Sequence, residues 1–201
     1  MNHIQCINDD ILNAAQAFGK TKRDLVYGEG DIKADVMLVG EAPGSEETKL
    51  LKPFVGKAGK NLDEFLNILE LKRENIYITN VVKFRPFKTS AKGTLSNRPP
   101  DKQELSCMLP FLMREIEAVL PRVVVTLGNV PLKGLLDNAV TIGTCHAVPT
   151  PASALSHNFI LFPLYHPASL IYNRSLKSVY DEDLLKLKSF LCNLGPVYRD
   201  N

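Results

Sequence analysis

The feature that most constrains the fold is a series of short apolar runs, rich in β-branched residues, that recur along the chain. The clearest are residues 36–39, 76–79 and 123–127, and further candidates lie at 25–27 and 159–162. Continuous apolar runs of this length are typical of parallel strands that are buried on both faces. Because helical patterns lie between the runs, the sequence predicts an α/β fold with helices on both faces of the sheet.

The segments between the predicted strands carry helical signals. Residues 62–69 place apolar side chains on one helical face. Asp101 and Glu104 form a capping-box start for a further helix. Pro110 lies inside that helix, so we expect a kink or an early break there. A last helix is expected over 181–194.

Length and composition exclude several classes of protein. The chain has 201 residues, a length that fits one domain with a sizeable core. Its formal charge of +2 gives no overall indication of nucleic-acid binding. We expect no membrane segment, since no long uncharged run occurs, and the N-terminus lacks the order of a signal peptide. The four scattered cysteines contain no CxxC pair, which argues against a zinc site and fits a reducing cytoplasm. We therefore expect a single domain over 1–201, cytoplasmic and monomeric.

The turn after the run at 36–39 is the strongest pointer to a ligand site. It reads GEAPG over residues 40–44, and open α/β sheets bind ligands at the carboxyl ends of their strands. Its spacing matches neither the dinucleotide-binding nor the P-loop motif. It offers the Glu41 carboxylate and exposed backbone around Gly40 and Gly44, with the aromatic Phe54 further along. A carboxylate, backbone amides and a flat ring around one turn suit a planar heterocycle.

Three polar side chains follow successive predicted strands and should meet at one edge of the sheet. These are Glu41, Asn80 and His166, with Phe54 nearby. An Asn amide offers a donor and an acceptor together, which matches the O4/N3–H edge of uracil. An aromatic face stacks a base, and a His can stabilise charge that builds on a base oxygen. Singly, each residue has an ordinary structural explanation, but together they predict a site for a pyrimidine turned out of a helix.

A basic segment lies in and beside the polar stretch 86–100, which is expected to be a long functional loop. Its cations, with no acid among them, are Lys83, Arg85, Lys88, Lys92 and Arg98. Such a segment suits contacts with DNA phosphates, and the alternative is a solvated loop.

Five blocks of the sequence, taken together, resemble the type-4 branch of uracil-DNA glycosylases, in that family's order and spacing. The blocks are GEAPG at 40–44, PFVGKAG at 53–59, TNVVK at 79–83, NRP at 97–99 and YHPAS at 165–169. The resemblance extends from about residue 26 to about residue 174. It implies a three-layer α/β/α fold with a central four-stranded parallel sheet, and hydrolysis of the bond between deoxyribose and uracil in DNA.

The resemblance also implies roles for individual residues. Phe54 would stack on uracil, Asn80 would read its edge, and His166 would lie at O2. Glu41 would lie beside the sugar. Glu47 occupies the place of an acidic residue near uracil C5, where a carboxylate would reject the thymine methyl; its alternative is a solvated loop acid.

Further positions complete the predicted site. Gly40 and Gly44 would present backbone to the substrate. Ala42 occupies the place where related branches carry an Asp that activates water, so backbone carbonyls near Ala42 would hold the water. Arg174 is a further candidate for contacting DNA.

The chain departs from the family at the iron–sulfur cluster. Type-4 enzymes usually hold a four-iron–four-sulfur cluster on four cysteines, and the matching positions here are Asn13, Gln16, Phe84 and Cys107. Cluster ligation needs several thiolates. We therefore expect no cluster and no other metal or cofactor, with apolar residues around Phe84 filling the volume.

Other functions remain open at this point. The chain could be a glycosylase for another deaminated base, or a module that binds uracil or single-stranded DNA without turnover. A nucleotide-processing α/β enzyme is a third alternative, but we find neither the phosphate loop nor the metal cluster that it would need.

Overall fold

The computed structural model describes residues 3–136 and 139–195 of the chain. Its helices are α1 (His3–Ala15), α2 (Ser45–Leu50), α3 (Lys57–Leu69), α4 (Lys102–Val119), α5 (Asn129–Leu135), α6 (Ile142–Cys145), α7 (Ser169–Tyr172) and α8 (Lys177–Asn193). Its strands are β1 (Glu29–Gly30), β2 (Val36–Gly40), β3 (Tyr77–Asn80), β4 (Phe87–Thr89), β5 (Leu95–Asn97), β6 (Val123–Leu127), β7 (Thr150–Ala154) and β8 (His157–Leu164). No helix in these two ranges is long and apolar enough to cross a membrane.

Six of the strands form one mixed sheet in the order β1-β3-β2-β6-β8-β7. The four inner strands pair in parallel, and β1 and β7 pair antiparallel at the two edges. The sheet therefore has six strands rather than the expected four. The edge strands lack apolar runs, because β1 has two exposed residues and β7 has only its last residue buried.

The expected strand at 25–27 is wrong. Leu25 makes only an isolated antiparallel bridge with Phe84, and the edge strand begins later, at Glu29. Leu25 and Val26 are nonetheless buried in the core. Their apolar character reflects packing rather than strand pairing.

Alternate side chains of the inner strands enter two apolar cores on opposite faces of the sheet. Met37 and Val39 pack on the face covered by α1 and α4. Val36 and Leu38 pack on the face covered by α3 and α8. The helices and the sheet thus form three layers.

All three predicted helices are present, as α3, α4 and α8, although α8 begins at Lys177 rather than at residue 181. Asp101 and Glu104 form the expected capping box at the start of α4. No break occurs at Pro110, because α4 continues to Val119. Pro110 has no N–H group to donate to the Ser106 carbonyl, four residues earlier in the helix. Both residues are exposed, so water can satisfy that carbonyl. The stretch 86–100 is also more ordered than expected, since it contains the β4–β5 hairpin.

Candidate active site

A cleft of about 490 Å³ lies at the carboxyl edge of the parallel strands. It contains six of the residues predicted from the sequence: Ala42, Gly44, Glu47, Phe54, Asn80 and His166. The fold brings them together because β3, β2, β6 and β8 are neighbours and run in the same direction. Turns at the ends of these strands therefore open on the same edge.

Gly40 lies directly beneath two of the cleft residues. It pairs with Asn80 in the register of β2 and β3. A Cβ atom at this position would lie 2.4 Å from Asn80 Oδ1 and 2.5 Å from Phe54 Cζ. Only glycine leaves room for the amide and the ring to lie this close together.

Phe54 is held in an unusual backbone conformation. Its φ of 53° lies in the left-handed region, which is costly for a residue with a side chain. The Arg73 guanidinium donates to its carbonyl oxygen at 2.5 Å. A Cβ atom at Gly59 would lie 2.1 Å from the same oxygen, so this glycine allows α3 to begin against it. These contacts hold the Phe54 backbone in its left-handed conformation.

Glu47 is buried and joins two segments of the cleft wall. Its carboxylate accepts hydrogen bonds from the backbone N–H groups of Gly44 at 3.1 Å, Val55 at 3.1 Å and Gly56 at 2.7 Å. These bonds tie the turn after β2 to the segment that carries Phe54. Glu47 is therefore not a solvated loop acid.

His166 lines the cleft and carries one hydrogen-bond donor. Its Nδ1 accepts the backbone N–H of Ala168 at 3.1 Å, so in the neutral ring the proton lies on Nε2. Burial lowers the pKa of His166 to about 4, against the opposing effect of the nearby Glu47 carboxylate. The ring stacks on Phe54 with centroids 6.0 Å apart and planes inclined by 26°. At neutral pH the imidazole is uncharged and Nε2–H is its donor.

Glu41 and Ala42 occupy different surroundings in the same turn. Ala42 lines the cleft, whereas Glu41 is not among its lining residues. The Glu41 side chain is partly buried, and this burial raises the pKa of its carboxyl group. Its backbone carbonyl accepts the N–H of Val82, which joins the turns after β2 and β3.

One predicted DNA contact is wrong. Lys83 is completely buried and forms an ion pair with Glu115 of α4 at 2.5 Å, so it cannot reach a phosphate. Counting charge along the chain could not reveal this partner, because Glu115 lies 32 residues away in sequence.

The other predicted cations differ in their availability. Arg98 makes a two-pronged ion pair with Glu104, at 2.7 and 2.8 Å, and Arg85 donates to Asn97 Oδ1 at 2.6 Å. Lys88 and Lys92 are exposed in the β4–β5 hairpin segment. Arg174 is exposed beside a neighbouring cleft formed by α3, α7 and α8.

The positions that match the cluster ligands of the type-4 branch do not fit an iron–sulfur cluster. Phe84 is fully buried, and its ring lies 5.3 Å from that of Phe18. Cys107 is the only thiol among the four positions, and all four cysteines of the chain are free. Over residues 3–136 and 139–195, no three His, Cys, Asp or Glu side chains come together as a metal site.

Several cleft residues escaped the sequence reasoning. Asn97, Ile171 and Tyr172 also line the cleft. Asn97 lies in the NRP block, which was a usable signal. Tyr172 is 87% exposed at the end of α7 and carried no pattern that distinguished it. Arg73 acts on Phe54 from a separate turn, so only the folded structure reveals its contact.

Comparisons with known proteins identify the family of the chain. The model of the uracil DNA glycosylase superfamily matches residues 27–188. The type-4 uracil-DNA glycosylase of Saccharolobus solfataricus is 35% identical over 207 aligned residues, covering 100% of this chain and 92% of that protein. The type-4 uracil-DNA glycosylase of Thermotoga maritima is 36% identical over 176 residues, covering 87% of this chain and 86% of that protein.

A solved structure shares the fold at much lower identity. The crystal structure of wild-type SMUG2 from Pedobacter heparinus superposes with a TM-score of 0.53 at 12% identity, over 92% of this chain and 84% of that one. The extent of the family match and the identity to full-length relatives lead to one conclusion. The chain belongs to the uracil DNA glycosylase superfamily.

Proposed function

We propose that this protein is a monofunctional uracil-DNA glycosylase, which hydrolyses the N-glycosidic bond of deoxyuridine in DNA and leaves an abasic site for base excision repair. The observation that carries this proposal is the convergence of Phe54, Asn80 and a neutral His166 on one cleft. The identity to curated type-4 uracil-DNA glycosylases supports it.

Recognition would begin with extrusion of the deoxyuridine into the cleft. The base would stack on the Phe54 ring, a contact that is typically worth roughly 1–3 kcal/mol. The Asn80 side chain, only 3% exposed, would donate to O4 and accept from N3–H. Gly40 keeps the amide and the ring adjacent, and Gly44 contributes backbone to the wall.

The bond between N1 and C1′ would break with its electron pair leaving on uracil. Negative charge then builds at O2, where the His166 Nε2–H donates a hydrogen bond. A neutral donor of fixed tautomer is already oriented before the charge develops, which is the arrangement that lowers a barrier. Water adds its oxygen to C1′ and releases a proton, the departing base takes up a proton, and the sugar keeps a hydroxyl group.

The water and the cationic sugar need groups on the other side of the bond. Ala42 lines the cleft, and we propose that its backbone carbonyl holds the water. The Glu41 carboxylate, in the same turn, would stabilise positive charge on the sugar. This arrangement relies on stabilising the leaving group more than on a strong general base.

Glu47 remains our candidate for rejecting thymine. In this proposal its carboxylate lies on the C5 side of the base, where losing water against a methyl group is unfavourable. Because both oxygens also accept backbone hydrogen bonds, Glu47 would fix the wall itself.

The remaining parts of the proposal concern cofactors, DNA and context. We propose that the enzyme works without an iron–sulfur cluster or other metal. Its phosphate contacts would come from Arg85, Lys88, Lys92, Arg98 and Arg174. We further propose that residues 1–201 form one domain and act as a monomer in the reducing cytoplasm, where the four free thiols would persist.

A panel of defined oligonucleotides tests the function. Uracil is placed in single strands, opposite guanine and opposite adenine. Matching oligonucleotides carry hypoxanthine or thymine in place of uracil. Abasic sites are detected by alkaline strand scission. We expect scission with uracil in at least one context and little with the other bases. Scission confined to hypoxanthine would mean a glycosylase for another deaminated base, and binding without scission would mean a binding module.

A further inference from the structure

The buried ammonium of Lys83 contacts the residue that would read the base. Its Nζ lies 2.5 Å from the backbone carbonyl oxygen of Asn80, 2.7 Å from Thr79 Oγ1 and 2.5 Å from Glu115 Oε2. An ammonium has three N–H donors, and these three acceptors use all of them. The position of this cation is therefore fully determined by its surroundings.

The partner carboxylate ties this group to helix α4. Glu115 is completely buried, and its two oxygens lie 3.3 and 3.5 Å from Thr79 Oγ1. Tyr77, on the same side of β3 as Thr79, packs in the core beneath α4. The polar group thus joins the middle of α4 to the end of β3.

Lys83 contacts the backbone of Asn80 from the face of the sheet that α4 covers. Ile78, two residues before Asn80 in β3, packs in the core that contains Phe54, whereas Tyr77 packs in the opposite core. The Asn80 amide lies near Phe54, and the Asn80 carbonyl is bound from the α4 side. The peptide between Asn80 and Val81 is bound at both ends, since the Val81 N–H donates to the Gly40 carbonyl of β2 at 2.9 Å and the Asn80 carbonyl accepts from Lys83.

Stability alone does not account for this ion pair. Removing two charges from water is costly, and well-packed apolar residues of similar volume are often as stabilising as a buried ion pair. An ammonium does something that an apolar side chain cannot, because it fixes the direction of a carbonyl through a charge-assisted hydrogen bond. The carbonyl that it fixes belongs to the proposed uracil-reading residue.

We propose, on the basis of the glycosylase function above, that Lys83 and Glu115 are positioning residues that hold the Asn80 peptide so that its side-chain amide meets the uracil edge. A displacement of about 1 Å in such a group typically costs on the order of 10²-fold in rate. The pair would influence excision without touching the substrate.

The test is a double-mutant cycle with Asn80. The variant Lys83→Met/Glu115→Leu replaces the pair by apolar residues, and its single-turnover excision of uracil is measured in the wild-type and Asn80→Ala backgrounds. We expect a loss of about 10²-fold in the first background and little further loss in the second, because Asn80 is then absent. An equal loss in both backgrounds would make the pair merely structural and overturn the proposal, as would a folded variant that retains the wild-type rate.

Two further variants make the result decisive. Arg114→Met is the matched control. Arg114 lies in α4, as Glu115 does, and its exposed ion pair is with Asp10 of α1, so this variant should leave the rate unchanged. If the paired variant does not fold, the same cycle with Thr79→Val removes one acceptor of Lys83, and an unchanged rate there overturns the proposal. A wild-type protein that fails to excise uracil would contradict the glycosylase function, whereas loss of the cycle's coupling alone would contradict only the positioning role.

Discussion

Replacing Gly40 with alanine should disable the cleft while leaving the protein folded. The added methyl carbon would lie 2.4 Å from Asn80 Oδ1 and 2.5 Å from Phe54 Cζ, whereas ordinary contacts begin near 3.4 Å. The amide and the ring must therefore each retreat by about 1 Å, or the end of β2 must shift. One methyl group therefore disturbs the relative positions of both groups that would bind uracil.

The size of the effect follows from that displacement. A misplacement of about 1 Å typically costs on the order of 10²-fold in rate. Overpacking a well-packed site costs about 1–3 kcal/mol of unfolding free energy, and each kcal/mol lowers the melting temperature of a chain this size by roughly 2–4 °C. We expect a folded but destabilised protein whose excision is about 10²-fold slower.

Single-turnover excision of a uracil-containing oligonucleotide, paired with thermal melting, measures both effects. Gly143→Ala is the matched control, because a methyl group at that glycine meets nothing within 4 Å. The control should keep its rate, and its melting temperature should not fall, since alanine is the better helix former. If Gly40→Ala excised uracil at close to the wild-type rate, Asn80 and Phe54 would not bind the base in the way proposed.

Four further predictions follow. Because His166 has a pKa of about 4 when folded and 6.5 ordinarily, the unfolded chain binds the extra proton between these values, so stability falls as pH falls through this window. The free energies of unfolding of wild type and His166→Gln, measured between pH 4 and 6.5, should therefore diverge by on the order of 3 kcal/mol across the window. A difference between the two proteins that stays the same at every pH would contradict the assignment. Lys88→Gln and Lys92→Gln should each lower the slope of log binding constant against log salt concentration by about one. An unchanged slope would mean that the β4–β5 hairpin does not contact DNA phosphates. Glu47→Ala should admit some thymine excision or inhibition by thymine, and a variant as selective as the parent would place the discrimination elsewhere. Metal analysis of purified protein should find no iron, and close to four irons per chain would refute the cluster-free proposal.

The sequence was informative where a residue's neighbours in the chain decide its position. The inner strands were recognisable as apolar runs, and Asn80 ends β3 while His166 lies two residues beyond the end of β8. Parallel neighbours must end at the same edge, so the convergence of these side chains could be predicted without coordinates. The edge strands lacked that signal, since β1 is two exposed residues long.

The sequence was uninformative where a distant partner decides. Lys83 looked like a surface cation in a basic stretch, but Glu115 of α4 draws it into the core. The left-handed conformation of Phe54 depends on Arg73 and Gly59, which no local pattern connects with it. Contacts of this kind depend on packing between elements, which composition and periodicity do not encode.

The most direct test of the account is to detect free uracil itself. Wild-type protein is incubated with a deoxyuridine oligonucleotide, and the released base and the remaining strand are identified by mass spectrometry, with Asn80→Ala as the paired variant. The account predicts one free uracil per strand and an abasic product for the wild type, and a folded Asn80→Ala variant slower by roughly 10²–10³-fold. No released uracil from the wild type in any strand context, or an unchanged rate in the variant, would contradict it.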